Sequence, residues 1–284
     1  MSEISVSAIS SRELPRFSSI TQPVKRDSHN GDIGWCSPIT IPLQSLHTDN
    51  FQYSILTFDQ SRASIIHDTR KRWGITVNDL IIAVLSRAIF SVTCARSEIS
   101  VPMYTTIDLR RYLPVIPERS LLNVSTAFEV QIPVQHGESL EETGKRVNII
   151  MNRIKSQNPG IKEAVEAETL ADTGYDAARK IIDAAWKNIS NAGRKTTIFS
   201  NTGIFTHGQI GPGSLSVRNA YFLPGFFQPP GFFFLLSTFD DIMTLSASYA
   251  IPAYDQDLVD RIFLWIEHDI PGFNDCKGDY KIIT

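Results

Sequence analysis

The chain has 284 residues, of which 42% are hydrophobic and 20% are charged, and its formal net charge at pH 7 is −3. This is the composition of a globular protein with a sizeable core, and it argues against a disordered chain. The sequence contains no block of basic residues, so we do not expect nucleic-acid binding through the neutralisation of phosphates.

Residues 1–50 are rich in Ser, Pro and turn dipeptides and lack periodicity, which predicts an irregular leader or crossover segment. The first residues show no basic start followed by an apolar run, so we predict no signal peptide. The three cysteines, Cys36, Cys94 and Cys276, are far apart and show no CxxC spacing. We therefore expect neither a disulfide framework nor a zinc site, and the reducing cytoplasm is the compartment that fits.

Regular structure is predicted to begin at the β-rich stretch 51–58, followed by a helix over 59–73 that ends at Gly74. The next helix starts with Thr76 and Asp79, whose spacing resembles a capping box. Its apolar residues cover most of its circumference, as in a helix buried between two layers.

Strands and helices alternate through the rest of the chain. We predict strands at 101–109, 123–134, 196–200, 214–223, 232–239 and 242–249, and helices at 139–157, 161–189 (broken near Gly174) and 255–269. Asp240-Asp241 is predicted to form the turn between the last two strands. The order predicts an α/β fold with helices packed on one mixed sheet, in a domain spanning 51–272 followed by a loose polar tail over 273–284.

The stretch 219–239 contains no charge and is long enough to span a bilayer. Pro224, Pro229 and Pro230 lie in its middle, where they would break a helix. We therefore predict a strand, a Pro-rich loop and a second strand here, and no membrane span.

Local catalytic motifs are missing from the sequence. GQIGPG (208–213) lacks the Lys-Ser/Thr of a P-loop and is read as a turn. The six histidines show neither HxxxH nor HExxH spacing, and there is no GxSxG nucleophile elbow. We therefore assign no metal ligand and no catalytic residue from the motifs alone.

Five segments carry a family resemblance, and they occur in the expected order over about residues 50–272. They are ITVNDLIIAVLSRAI (75–89), TTIDLRRYLP (105–114), NVSTAFEVQIPV (123–134), IFSNTG (198–203) and FLLSTFDDIMTLSASYA (234–250). Together they resemble the C-terminal half of the condensation-domain and O-acyltransferase superfamily. That superfamily includes chloramphenicol acetyltransferase, alcohol acetyltransferases, wax-ester synthases and peptide-synthetase condensation domains.

The resemblance implies one half of a fold built from two similar α/β halves, with the active site in a tunnel between them. In such proteins the first half carries an HHxxxDG motif, whose second His is the general base of acyl transfer. No two histidines are adjacent in this chain. In the stretch SHNGDIG (28–34), Ser28 replaces the first His and Asp32 follows His29 by three residues instead of four, so we interpret it as a crossover turn.

The resemblance also suggests roles for individual residues. Asp108 and Arg110 would be structural, forming a buried ion pair that holds the strand end and a neighbouring loop. Four residues would lie at the tunnel and contact substrate: Asn123, Ser200, Asn201 and Gly203. Their residue types also fit ordinary turn chemistry. The segment 224–234 would be either a hydrophobic lip for a substrate chain or an edge packed on the missing half.

Two hypotheses follow for function. In the first, the chain completes an acyltransferase site with a partner that supplies the His motif, using acyl-CoA or an acyl-carrier thioester as co-substrate and no tightly bound cofactor. In the second, it is a truncated, non-catalytic homologue that binds a hydrophobic ligand or a protein. The expected partners are a complementary N-terminal half or a second copy of the chain, and a small hydrophobic acyl or alcohol substrate.

Overall fold

The computed structural model describes residues 16–19, 39–93, 99–113, 124–191, 196–206, 208, 217–272 and 279–283. The strands in these ranges are β1 (Asn50–Phe58), β2 (Ile99–Asp108), β3 (Ser125–Val134), β4 (Thr196–Phe205), β5 (Gly231–Phe239), β6 (Ile242–Ile251) and β7 (Asp279–Ile283). The α-helices are α1 (Gln60–Trp73), α2 (Val77–Val92), α3 (Leu140–Lys155), α4 (Ile161–Asp172), α5 (Tyr175–Asn191) and α6 (Gln256–Asp269). The three cysteines, Asn123 and the SHNGDIG stretch lie outside the described residues.

The seven described strands form one mixed sheet in the order β3-β2-β4-β5-β6-β1-β7. The β2–β4 and β4–β5 pairs are parallel and the others are antiparallel. The predicted α/β fold with helices on a mixed sheet is therefore confirmed. We call the side of the sheet that packs on α2, α3 and α6 the helical face, and the opposite side the open face.

Helix α2 lies at the centre of the core, as its apolar circumference predicts. Thr76 accepts a hydrogen bond from the Asp79 backbone N–H, and the Asp79 carboxylate accepts one from the Thr76 N–H, which completes the predicted capping box. Residues 80–85 are all fully buried. Strands β2 and β3 contact the helix and carry alternate buried apolar residues such as Val101, Met103 and Val130.

A buried ion pair joins the start of α3 to the sheet. The Glu138 carboxylate accepts hydrogen bonds from the Arg146 guanidinium, from Thr143 Oγ1 at 3.0 Å and from the Gln135 backbone N–H at 3.0 Å. Burial alone would raise the pKa of Glu138, but these hydrogen bonds outweigh it and hold the pKa below its ordinary value. The carboxylate is therefore ionised and stabilising in the folded protein at neutral pH.

We expect Glu138→Gln to lower the free energy of unfolding by about 2 kcal/mol at pH 7, because it removes the charged acceptor from three donors. A group whose pKa is lower in the folded state stabilises the fold above its unfolded pKa, about 4.3 for Glu, and loses that effect as the pH falls through the folded pKa. We therefore expect the difference in the free energy of unfolding between the wild type and Glu138→Gln to be constant above about pH 5 and to shrink below it. Urea unfolding at several values between about pH 7 and pH 3 measures this difference. A difference that grows on acidification would contradict this assignment.

Two predictions about β structure are wrong. Residues 217–223, part of the predicted strand 214–223, form no strand, because the main chain near Phe222 bonds to serine hydroxyls of the sheet instead of to a neighbouring strand. Residues 279–283, predicted to belong to a loose tail, form β7. This strand pairs with Tyr53–Thr57 and occupies backbone groups that β1 would otherwise leave open.

The helical predictions agree with the structure. Helix α1 starts after Asp59 and ends at Gly74, which has a φ of 69°. The region 161–189 is divided by Gly174 into α4 and α5. Within the described residues, no single helix has the length and apolar composition to cross a membrane, and α1 and α2 satisfy those criteria only as a pair bent by 100°.

Candidate functional site

The carboxyl ends of β2 and β4 form a gap in the sheet. These parallel strands pair only at Tyr104–Ile198 and Thr105–Phe199, whereas β2 pairs with β3 along its whole length. Ligands of open α/β sheets bind outside the carboxyl ends of parallel strands, where neighbouring connections diverge. The candidate site therefore lies just beyond these two pairs.

Ser200 lies at this gap on the open face. Its hydroxyl is 2.8 Å from the Thr106 hydroxyl of β2, and either group could be the donor. Both residues are only partly buried, so the two hydroxyls form a small polar point at the edge of the gap. Thr106 was not predicted as a site residue, because 94 residues separate it from Ser200 in the sequence.

Asn201 and Gly203 lie at an irregularity within β4. The Asn201 side-chain amide donates to Asn78 Oδ1 of α2 at 2.6 Å, and its Oδ1 accepts from the Gly203 N–H at 2.8 Å. Gly203 has a φ of 80°, and the pairing with β5 shifts register between Asn201 and Ile204. Both ends of the Asn201 amide are thus used to hold this part of β4 against α2.

Asp108 and Arg110 do not form the predicted buried pair. Their side chains are about half exposed, and the Asp108 carboxylate accepts from Arg110 Nη1 at 3.3 Å and from the Arg110 backbone N–H at 2.9 Å. The prediction of burial is wrong because the pair is local. Asp108 caps the short 3₁₀ helix Leu109–Tyr112 that leaves β2 at the surface. Asn123, predicted to face the tunnel, lies outside the described residues.

An irregular segment crosses the open face over β5, β6 and β1. Three serines of the sheet fix its main chain: Ser237 Oγ accepts from the Phe222 N–H, Ser246 Oγ donates to the Phe222 carbonyl at 3.0 Å, and Ser248 Oγ donates to the Gly225 carbonyl at 2.8 Å. The small polar face of β6 is therefore an anchor for this segment. Alternation in the sequence indicates such a face but not what covers it.

Aromatic side chains of the segment pack on aromatic side chains of the strands beneath it. Phe226 stacks on Phe51 with ring centroids 4.6 Å apart and lies 4.7 Å from Tyr53, where burial raises the pKa of the Tyr53 phenol. Phe227 lies 5.8 Å from Phe233 of β5 and 6.2 Å from Trp186 of α5. These contacts join α5 to the segment. We call residues 221–227 the aromatic segment.

Helix α5 presents an apolar stripe that the described residues leave uncovered. At 100° per residue, six of its residues fall within an arc of about 140°. They are Tyr175, Ala178, Ile181, Ile182, Ala185 and Trp186, and we call them the α5 stripe. Between 175 and 188 only Ala178 and Trp186 are half-buried, and every other residue is exposed.

The chemistry available at the gap is limited to hydroxyls, amides and apolar surface. Among the described residues, no group of three or more His, Cys, Asp or Glu side chains could hold a metal ion. The described part of the gap contributes neither a histidine nor a carboxylate beyond the surface Asp108. It can position a ligand, but it offers no general base for proton transfer.

Comparison with known proteins places this architecture. No protein-family model and no curated protein sequence matches the chain. A solved trichothecene 15-O-acetyltransferase from Fusarium sporotrichioides matches 82% of the chain at 17% identity with a TM-score of 0.62. The epimerization domain from the third module of tyrocidine synthetase B matches 84% at 12% identity and 0.54, and the X-domain from teicoplanin biosynthesis matches 85% at 14% and 0.51. The chain has the condensation-domain and O-acyltransferase fold.

The match extends over only part of each of these three solved structures. The chain covers 48% of the acetyltransferase, 51% of the epimerization domain and 52% of the X-domain. It therefore spans about half the length of these proteins. The resemblance inferred from the five sequence segments is confirmed at the level of the fold, and the gap between β2 and β4 is its candidate site.

Proposed function

We propose that this chain is the C-terminal half of an acyltransferase or condensation protein that transfers an acyl group from acyl-CoA or a carrier-bound thioester to a hydroxyl or amine. A second α/β half, in another chain or in further sequence of the same protein, supplies the HHxxxDG motif. The single observation that carries the proposal is an apolar surface that the described part of the chain leaves uncovered, on a chain that matches half of a two-half fold.

The uncovered surface consists of the α5 stripe and the aromatic segment, joined at the Trp186–Phe227 contact. Tyr175 is 77% exposed, and Phe222 and Phe226 are 49% and 47% exposed. Monomeric proteins rarely expose contiguous apolar patches of this kind, and such patches mark interaction sites. This supports the earlier alternative in which the segment packs on a second half.

The proposed chemistry divides between the halves. The histidine of the partner half takes a proton from the acceptor hydroxyl or amine, whose oxygen or nitrogen attacks the thioester carbonyl. The carbon–sulfur bond then breaks, and the departing thiolate takes up the proton. In this chain, the hydroxyls of Ser200 and Thr106 would hydrogen-bond to the amide groups of the thioester arm, while Asn201 holds the strand end in place.

A mixing experiment tests the proposal. We expect release of free thiol from acyl-CoA or an acyl-carrier thioester, in the presence of an alcohol or amine acceptor, only when this chain is combined with a half that carries HHxxxDG. Changing the second His of that motif to Ala should abolish the release. Turnover by this chain alone would contradict the proposal, and saturable binding without turnover in the mixture would favour the non-catalytic module.

The surface is tested by substitution at the α5 stripe. The double variant Ile181→Ser and Ile182→Ser should weaken association with the partner half by about ten-fold, because both side chains are exposed apolar contacts. Leu264→Ser is the matched control, since Leu264 is similarly exposed but lies on α6 at the other side of the molecule. Equal affinity of the double variant and the control, measured by titration calorimetry, would exclude the stripe from the interface.

A further inference from the structure

Residues 16–18 bind α4 through an ion pair and two backbone hydrogen bonds. Arg16 makes a bidentate ion pair with Asp172, with nitrogen–oxygen distances of 2.8 and 3.0 Å. The Glu168 carboxylate accepts hydrogen bonds from the backbone N–H groups of Phe17 at 2.7 Å and Ser18 at 3.2 Å. Arg16 holds the pKa of Asp172 below its ordinary value, so the carboxylate is ionised at neutral pH.

An aromatic anchor accompanies these polar contacts. The Phe17 side chain is 9% exposed and packs with Leu109 and Ala164 in a small apolar cluster that is separate from the main core. The peptide is held by a guanidinium that binds one carboxylate, by two backbone N–H groups that bind a second carboxylate, and by one buried ring. Together these contacts fix both the position and the direction of a short peptide. The site thus receives the Arg16 side chain, the Phe17 ring and two backbone N–H groups, and it is occupied by the chain itself.

Among the described residues, the helix pair that receives this segment has few other contacts. We call residues 161–191 the α4–α5 arm. Gly160 and Ile161 fix its start near the end of β2, and Trp186 contacts Phe227 near its other end. Between these points, the side chains of α5 are nearly all exposed. Regions with few buried apolar contacts open locally at low free-energy cost, so an added tether at α4 has a large effect there.

We propose that residues 16–18 are an intramolecular clasp that sets the position of the α4–α5 arm. The clasp lies on the last two turns of α4, directly before the turn into α5, and therefore fixes the direction in which α5 leaves. A consequence, which rests on the proposed function, is that the clasp orients the α5 stripe for the second half. Release of the segment would leave the arm free to reorient and weaken that association.

Amide hydrogen exchange of the full-length protein tests the clasp without any partner. Arg16→Glu should speed exchange of peptides from residues 161–188 by about five-fold, and Phe17→Ala by about ten-fold, while exchange in α2 stays unchanged. Arg179→Glu is the matched control. This variant makes the same charge change on the exposed side of α5, where Arg179 Nε lies 3.9 Å from Asp183 Oδ2. It should not change amide exchange in α4.

A charge exchange distinguishes the ion pair from a general effect of charge. Arg16→Asp combined with Asp172→Arg restores a pair of opposite charges and should return exchange to within about two-fold of the wild type. Unchanged exchange in both Arg16→Glu and Phe17→Ala would overturn the clasp, whatever the partner half does. Faster exchange with unaltered affinity for that half would support the clasp and overturn only its link to the proposed function.

Discussion

We expect Arg62→Met to lower the free energy of unfolding by about 4 kcal/mol, because it removes a buried cation from four partners. Arg62 of α1 is fully buried. Its guanidinium donates to the Glu267 carbonyl, and at 3.4 Å to the carbonyls of Ile270 and Pro271, at the carboxyl end of α6. Its Cζ also lies 4.9 Å from the centroid of the Phe58 ring.

The size of this effect has a specific physical origin. The last carbonyls of a helix lack partners within the helix and carry partial negative charge, so a cation that caps them stabilises the helix end. Methionine fills similar space but gives those carbonyls no donor, and it removes the positive charge 3.9 Å from the Glu267 carboxylate.

Urea unfolding monitored by circular dichroism measures the loss, and Arg72→Met provides the control. Arg72 lies on the exposed side of the same helix and contacts Thr69 Oγ1 at 3.4 Å, so its removal should cost less than about 0.5 kcal/mol. An Arg62→Met variant within about 1 kcal/mol of the wild type would show that the buried guanidinium is not the cap of α6.

Gly160→Ala is expected to cost about 3 kcal/mol, by forcing α4 away from the end of β2. A Cβ at position 160 would lie 2.5 Å from Thr126 Cγ2 and 2.8 Å from Ile107 Cγ2, closer than any real contact allows. Gly160 also has a φ of 88°, a conformation that alanine adopts only with strain. The same substitution should loosen the α4–α5 arm and weaken association with a second half.

Gly174→Ala distinguishes the steric contact from the backbone strain as causes of the expected loss of stability in Gly160→Ala. Gly174 has a φ of 87°, but a Cβ there would meet no atom within 4 Å. This variant carries the backbone strain alone and should cost about 1 kcal/mol. If thermal unfolding shows equal losses for both variants, the close approach of α4 to the sheet contributes nothing and the expected displacement of the arm is wrong.

Helix positions and ends could be predicted from the sequence because their causes are local. The capping box of α2 spans Thr76 to Asp79, and the end of α1 depends on the φ of Gly74. The division of 161–189 follows from Gly174. Each signal lies within about four residues of the feature it determines, so no knowledge of the rest of the chain is needed.

The same local reasoning predicted only some of the residues of the candidate site. Ser200, Asn201 and Gly203 are close in sequence and were predicted together as one strand end. Their partners, Thr106 and Asn78, are 94 and 123 residues away, and nothing in the local pattern selects them. The buried pair expected at Asp108 and Arg110 failed for the related reason that burial depends on what packs over a strand end.

The sequence by itself determined the helices, most of the strands and their order, because these follow from periodicity and from caps within a few residues. It did not reveal β7, whose pairing with β1 depends on contacts distant in the sequence. The tertiary structure determined which hydrogen-bond partners the remaining polar groups have. Arg62 caps α6 across more than 200 residues, Ser246 and Ser248 anchor the aromatic segment, and residues 16–18 bind α4. The contacts of Arg62 and the two serines satisfy groups that are partly or fully buried, whereas the Arg16–Asp172 ion pair is exposed. In each case only the folded chain shows which groups meet.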